Sequence, residues 1–296
     1  MTVRLGVNPI AWSNDDMLEL GGATPLEQCL AEGREAGFQG FELGNKFPRD
    51  AAVLRPILDG YGLSLVSGWY SAGLLERTVA EEIEAVQPHL HLLKAMGCPV
   101  MVVAETTGCV HGSRGTPLSQ RPTLESGQWA EFGRRMAEFG DYLRDQGTPL
   151  AYHYHMGTVV ETPDEIDRFA EVTGDSVGIL LDTGHLTFAG GNPLDLIAKW
   201  GRRIDHVHCK DVRADVLARA KATDSSFLDA VIDGVFTVPG DGCVDFPAVL
   251  KALKDADYRG QWLVIEAEQD PAKAHPLTYV TKGRQHLSAL VAEYGL

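Results

Sequence analysis

The sequence is poor in basic residues: 26 Lys and Arg stand against 41 Asp and Glu, a formal charge of -15 over 296 residues. A protein that neutralises a phosphate backbone needs clustered Lys and Arg. The longest basic runs here are pairs such as Arg134-Arg135 and Arg202-Arg203, which counts against nucleic acid as the main partner. Long hydrophobic stretches are also lacking. The longest, Cys98 to Ala104, has seven residues, far short of the roughly 20 needed to cross a bilayer, so no membrane span is expected. The N-terminal residues carry no charged segment followed by an apolar stretch and a small-residue cleavage site, and no Asn-x-Ser/Thr sequon occurs. The five cysteines, Cys29, Cys98, Cys109, Cys209 and Cys243, include no Cys-x-x-Cys or other close pair. A reduced, cytoplasmic protein is expected. Neither Gly-x-Gly-x-x-Gly nor a P-loop is present, so the usual phosphate-binding signature of a doubly wound sheet is missing.

What is present is the composition of an ordinary globular protein, with 44% hydrophobic and 23% charged residues. Short runs rich in branched apolar residues alternate with longer stretches of helical periodicity, the pattern of βα units around a parallel sheet. The strand candidates are Arg4–Ile10, Gln39–Leu43, Leu63–Gly68, Val100–Ala104, Leu150–His155, Val177–Leu181, Ile204–His208 and Trp262–Ala267. Thr24-Pro25-Leu26-Glu27 and Thr162-Pro163-Asp164-Glu165 each combine a cap residue, a proline and an acid, as helix starts do, and Gly37 closes the first helix. Gly60, Gly97, Gly147, Gly174 and Gly260 each precede a strand, where a helix would end in the left-handed conformation. Eight such units predict one α/β domain over residues 1–296, a single (β/α)8 TIM barrel, a fold that typically takes about 250 residues. The doubly wound sheet is the alternative. The stretch Thr106 to Leu124, rich in Gly, Ser, Thr and Pro, is too long for a plain connection and reads as an active-site lid.

In such a barrel the active site forms at the C-terminal ends of the strands. Reading each apolar run to its end gives Asn8, Trp12, Glu42, Asn45, Lys46, Trp69, Ser71 and Glu105, then His153, His155, Asp182, His185, His206, His208, Lys210, Asp211, Glu266 and Glu268. His153 and His155 are two apart, as are His206 and His208, so each pair points to one side of its strand. A mixture of His and carboxylates without a Cys ligand suits a divalent first-row metal such as Mn, Co, Zn or Fe(II). Glu42 and Glu105 could transfer protons or hold a neighbour in place. Lys46 and Lys210 could stabilise an enolate or sit in salt bridges, and Trp12 and Trp69 could stack on a sugar ring or pack against the rim.

Several segments resemble the inosose dehydratases of the xylose-isomerase-like barrel superfamily over nearly the whole chain. They are Gly-Val-Asn-Pro-Ile-Ala-Trp-Ser-Asn-Asp-Asp (6–16), Phe-Glu-Leu-Gly-Asn-Lys-Phe-Pro (41–48), Tyr-His-Tyr-His-Met-Gly-Thr (152–158), Leu-Leu-Asp-Thr-Gly-His-Leu (180–186), His-Val-His-Cys-Lys-Asp-Val-Arg (206–213) and Trp-Leu-Val-Ile-Glu-Ala-Glu-Gln-Asp-Pro (262–271). The resemblance implies loss of water from 2-keto-myo-inositol (scyllo-inosose) to give a trihydroxycyclohexane-1,2-dione, in cytosolic inositol breakdown, with Co or Mn and help from glutathione. It implies metal ligation by Asp182, His208 and Glu266. A fourth slot, Glu in the superfamily, is matched by His153, with His155 as the other occupant, and His185 matches a substrate-contacting position. Asn8, Trp12, Trp69, Glu105, Lys210 and Glu268 are then the substrate-binding candidates.

Water loss beside a ketone starts with removal of the α-proton and ends with departure of a protonated hydroxyl. Glu42, Lys46, His155 and His185 are the candidates for acid and base. A sugar epimerase or aldose-ketose isomerase on the same barrel is the closest rival, although the superfamily's fifth-strand Glu, which shuttles the proton there, is replaced by His153. A repair endonuclease of the superfamily fits poorly with the charge of -15. A non-catalytic sugar-binding protein has no need of so many metal-type ligands. The expected partner is a small polyol ketone, and self-association is compatible with the fold.

Overall fold

The computed structural model describes residues 3–296. Its parallel strands are β1 (Arg4–Val7), β2 (Gly40–Leu43), β3 (Ser64–Ala72), β4 (Met101–Glu105), β5 (Leu150–Tyr152), β6 (Gly178–Asp182), β7 (Ile204–Cys209) and β10 (Trp262–Ile265). They close into a barrel in the order β1-β10-β7-β6-β5-β4-β3-β2. All eight expected strands are present, most of them a few residues shorter or shifted by one or two. Two two-residue strands, β8 (Asp211–Val212) and β9 (Phe236–Thr237), form a separate antiparallel ribbon above the β7 end.

The two-residue period of each strand sorts its side chains between the barrel interior and the helical layer. Val100 and Val102 on or beside β4 meet Ala151 and Leu180 inside, whereas Met101 and Val103 join the large outer core with Phe139, Leu143 and Tyr152. The bottom of the barrel is filled by Trp262, Val264 and Val66. Glycine at positions 6 and 40 makes this possible, since a Cβ on Gly40 would stand 2.7 Å from Val66 Cγ2 and 2.8 Å from the Trp262 ring. The interior is therefore a packed plug with the polar layer above it.

Helix ends show where local signals suffice. Thr162 caps the helix Pro163–Thr173 in a full capping box with Glu165, as its sequence predicts. Thr24 does not cap. The helix Leu26–Ala36 starts one residue later, because Pro25 itself holds the extended N-cap conformation and has no side-chain bond to offer. Gly97, Gly147 and Gly174 adopt positive φ, but Gly60 lies inside the helix Ala51–Tyr61 and Gly62 takes the left-handed position. Near Gly260 that conformation falls to Asp257 instead.

Candidate metal centre and catalytic pocket

Continuing the strand alternation by one step beyond the apolar plug places Asn8, Glu42, His153, Asp182, His208 and Glu266 in one layer at the C-terminal mouth. His153, Asp182, His208 and Glu266, from four different strand ends, each offer a ligand atom, and these atoms lie within 4.8 Å of one another. His153 Nε2 and His208 Nδ1 are each 3.5 Å from Asp182 Oδ2, and His208 Nδ1 is 2.8 Å from Glu266 Oε2. Asp182 Oδ2, His208 Nδ1 and Glu266 Oε2 are all buried and make no hydrogen bond of acceptable geometry. These three buried atoms meet one another, and Glu266 Oε2 also meets Lys210 Nζ at 3.0 Å, as close charged contacts without good hydrogen-bond geometry, an arrangement that is costly unless something organises it. Two imidazoles and two carboxylates without thiolate form a donor set that fits a divalent metal.

The tautomers agree with that reading. His153 Nδ1 lies 2.6 Å from the Tyr154 carbonyl, so the ring donates there and keeps the Nε2 lone pair for the cluster. His208 is turned the other way. Its Nε2 faces the Glu42 carboxylate at 3.1 Å, which leaves Nδ1 as the inward atom. Glu42 is itself saturated: it accepts from Ser67 Oγ (2.5 Å), His206 Nε2 (2.9 Å) and Asn8 Nδ2 (2.8 Å). Burial acts to raise its pKa, but His208 and His206 outweigh that and hold it well below the usual range. A carboxylate so fixed is placed to orient His208, the second of the two roles its sequence position allowed. Asn8 also donates to Glu266 at 3.2 Å and bridges the two acids.

Beside this cluster His155, His185 and Glu268 form a second group. Lys210 Nζ sits at its centre, 2.7 Å from Glu268, 2.9 Å from His185 Nε2 and 3.0 Å from Glu266. One buried ammonium thus meets several carboxylates, and the negative excess that remains suits a cation. Burial raises Glu268 to about 7, with Lys210 opposing the rise and Glu266 adding to it. His155 gives Nδ1 to the Met156 carbonyl at 2.8 Å and keeps Nε2 free, and its burial and the neighbouring His185 hold it neutral. A cavity of about 160 Å³ opens here, lined among others by Asn8, Trp69, His155, His208, Glu266 and Glu268. Phe227 packs against the two histidines of this group, 5.0 Å from His155 and 5.6 Å from His185 between ring centres.

Three expected site residues lie elsewhere. Trp12 follows a 3-10 turn over Pro9–Ala11 that swings it out of strand alternation; it is fully buried against Phe41, with its indole N–H on Glu32. Glu105 has the parity of Met101 and Val103, so it points outward and accepts the backbone N–H groups of Leu74 and Thr107. Lys46 donates to the carbonyls of Gly21, Gly22 and Thr24, bracing the loop after β1 instead of facing the cavity. Lys46→Ala is accordingly expected to lower stability by about 1–2 kcal/mol through the lost charge-assisted bonds, while kcat stays within a few-fold of wild type. Chemical denaturation and steady-state kinetics check this.

Other residues reach the cavity without having been expected there. Asp15, Asp16 and Arg49 come from loops at the barrel mouth, and His111 comes from the 106–124 stretch. None of them shares a period with a strand. The one available signal was the composition of the 106–124 segment, which places a loop over the site without saying which side chain points in.

A family model described as "Xylose isomerase-like TIM barrel" matches residues 30–290. The rhizopine catabolism protein MocC of Rhizobium meliloti is 51% identical over 295 residues, covering 100% of this chain and 90% of its own. An inosose dehydratase of Geobacillus thermodenitrificans is 45% identical over 287 residues, with 96% of each chain covered. The chain belongs to the xylose isomerase-like TIM barrel family, in its inosose dehydratase branch. Solved structures of the fold include the IOLI protein with a bound zinc atom, at 17% identity, a TM-score of 0.70 and 99% coverage of both chains. Another is a Mycobacterium smegmatis barrel in complex with magnesium, at 17% identity, a TM-score of 0.73 and coverage of 99% of this chain and 98% of that one. At such identities they share the fold with this family member. No described helix is long and apolar enough to cross a membrane.

Proposed function

We propose that this xylose isomerase-like barrel is a metal-dependent hydro-lyase. It removes water from scyllo-inosose to give a trihydroxycyclohexane-1,2-dione in cytoplasmic inositol breakdown. The observation that carries this reading is the convergence of buried metal-type ligand atoms, Asp182 Oδ2, His208 Nδ1, Glu266 Oε2 and His153 Nε2, beside a histidine whose Nε2 makes no hydrogen bond. The near-full-length relatives named inosose dehydratase support the substrate.

His153, Asp182, His208 and Glu266 would hold Mn or Co. A metal held there would supply Lewis acidity to polarise the ketone and stabilise the charge that builds on its oxygen. The protein's own residues supply the remainder. His155 Nε2 accepts the α-proton, with its tautomer fixed by the Met156 carbonyl. Asn8 and Glu42 keep the ligands oriented, and Lys210 holds Glu266 and Glu268 in place. Trp69, edge-on to His153 and His155, gives the ring an apolar wall.

The test is ultraviolet detection of the dione's conjugated enol. Protein stripped with EDTA should be inactive on scyllo-inosose and regain activity with Mn or Co, with and without glutathione present. A tightly bound divalent metal without any absorbance growth would refute dehydration and favour an epimerase or isomerase of a related sugar.

A further inference from the structure

Elimination needs an acid for the departing hydroxyl as well as a base for the α-proton, and the residues closest to the metal cluster provide the second without a free candidate for the first. Lys210 is buried among Asp182, Glu266 and Glu268, Glu268 is raised to about 7 but is held by Lys210 at 2.7 Å, and His185 is engaged by Lys210 and the Met156 N–H. His111 stands apart from these. It lines the cavity from the 106–124 loop, with its ring 4.9 Å from that of His155 and 6.4 Å from that of Trp69.

The loop is anchored for this purpose. Val110 donates its N–H to the Gly157 carbonyl at 2.9 Å, two residues after His155, so both histidines ride on one backbone contact. Gly157 has a φ of +79°, and a Cβ there would stand 2.9 Å from the His111 backbone nitrogen, so only glycine lets the loop come this close. Arg121 ties the far end of the loop to Glu161 (3.3 Å), Glu165 (2.7 Å) and the Thr158 carbonyl (3.0 Å). From the other side Asp16 Oδ1 faces His111 Nε2 at 3.6 Å. Burial opposes the imidazolium, but Cys109 and Asp16 outweigh it and raise His111 above its ordinary value, while the separation leaves its Nε2–H outside a hydrogen bond with Asp16.

We propose that His111 is a catalytic residue, the acid that protonates the leaving hydroxyl. This rests on the dehydratase reading. The α C–H bond breaks and its proton goes to His155 Nε2, leaving the electron pair in the enol system. The β C–O bond then breaks as its oxygen takes the proton from His111 Nε2, water departs, and the C=C bond of the dione's enol forms. His155 is left with one extra proton and His111 with one fewer; solvent at the mouth or direct passage between the two rings restores both.

The experiment compares metal-loaded wild type with His111→Gln in D2O, following both enol absorbance and deuterium at the α-carbon of unreacted inosose by NMR. The variant should retain metal content and melting temperature, with KM within about threefold. Its dehydration rate should fall about 10²–10⁴-fold, while α-deuteration continues at a rate within about tenfold of wild-type turnover. Dehydration within about threefold of wild type would overturn the assignment. So would exchange and dehydration falling together, which marks a structural role. A wild type that neither exchanges nor dehydrates would instead overturn the underlying function.

Discussion

Asp182→Asn should abolish divalent-metal binding and lower kcat/KM on the inosose by about 10³-fold or more, several kcal/mol of transition-state stabilisation. The two oxygens of Asp182 have separate duties. Oδ1 caps the helix Thr183–Phe188 by accepting the His185 N–H at 2.7 Å, and Oδ2 is the buried, unpartnered atom facing His153 and His208. Burial opposes its charge, but Lys210 and His185 outweigh burial and hold its pKa well below the ordinary value, so the group is an anion at neutral pH. Asparagine keeps an oxygen for the cap and removes the charge from the cluster. The apo variant should therefore melt within a few degrees of apo wild type. Alanine also removes the cap, at a cost of about 1 kcal/mol. Metal content by elemental analysis, read beside the melting curve, separates the two effects. An Asp182→Asn protein that binds metal with unchanged affinity would show that the cluster is not the metal site.

The second large effect concerns Glu42. Glu42→Gln should weaken metal binding about 10–100-fold, the range in which partners that orient metal ligands act. The carboxylate accepts from Ser67, His206, His208 and Asn8 at once, whereas an amide has a single acceptor oxygen and presents an NH₂ group to one of these donors. His208 then loses the acceptor for its Nε2–H and can carry its proton on Nδ1, the atom that faces Asp182 and Glu266. Titration of the apo-protein with Co, followed by its visible absorption, reports both affinity and ligand geometry. Full loss of turnover with unchanged Co affinity would return Glu42 to proton transfer.

The barrel was legible because its strands obey a period of two and its helices begin and end on short-range signals such as the Thr162 capping box. The donors were legible for the same reason: His153, Asp182, His208 and Glu266 all lie on or just beyond a strand, where parity still holds. Glu105 shows the limit of reading strand ends without counting parity, since its alignment with Met101 and Val103 already turns it outward. Trp12 and Lys46 were out of reach because a 3-10 turn and a loop intervene between them and their strands. His111 and Asp16 come from opposite loops that have no period at all.

By itself the sequence determined the fold class and the supply of metal-type side chains at one end of it, because alternation is a property of each strand alone. The separate surroundings of His153 and His155 needed the closed barrel. Both point inward, but closure sets His153 at the level of Asp182 and His208, while His155, one step higher, meets His185 and Glu268. Tertiary structure alone also decided the tautomers and the place of His111, since these depend on carbonyls, carboxylates and loops that meet only when distant segments pack.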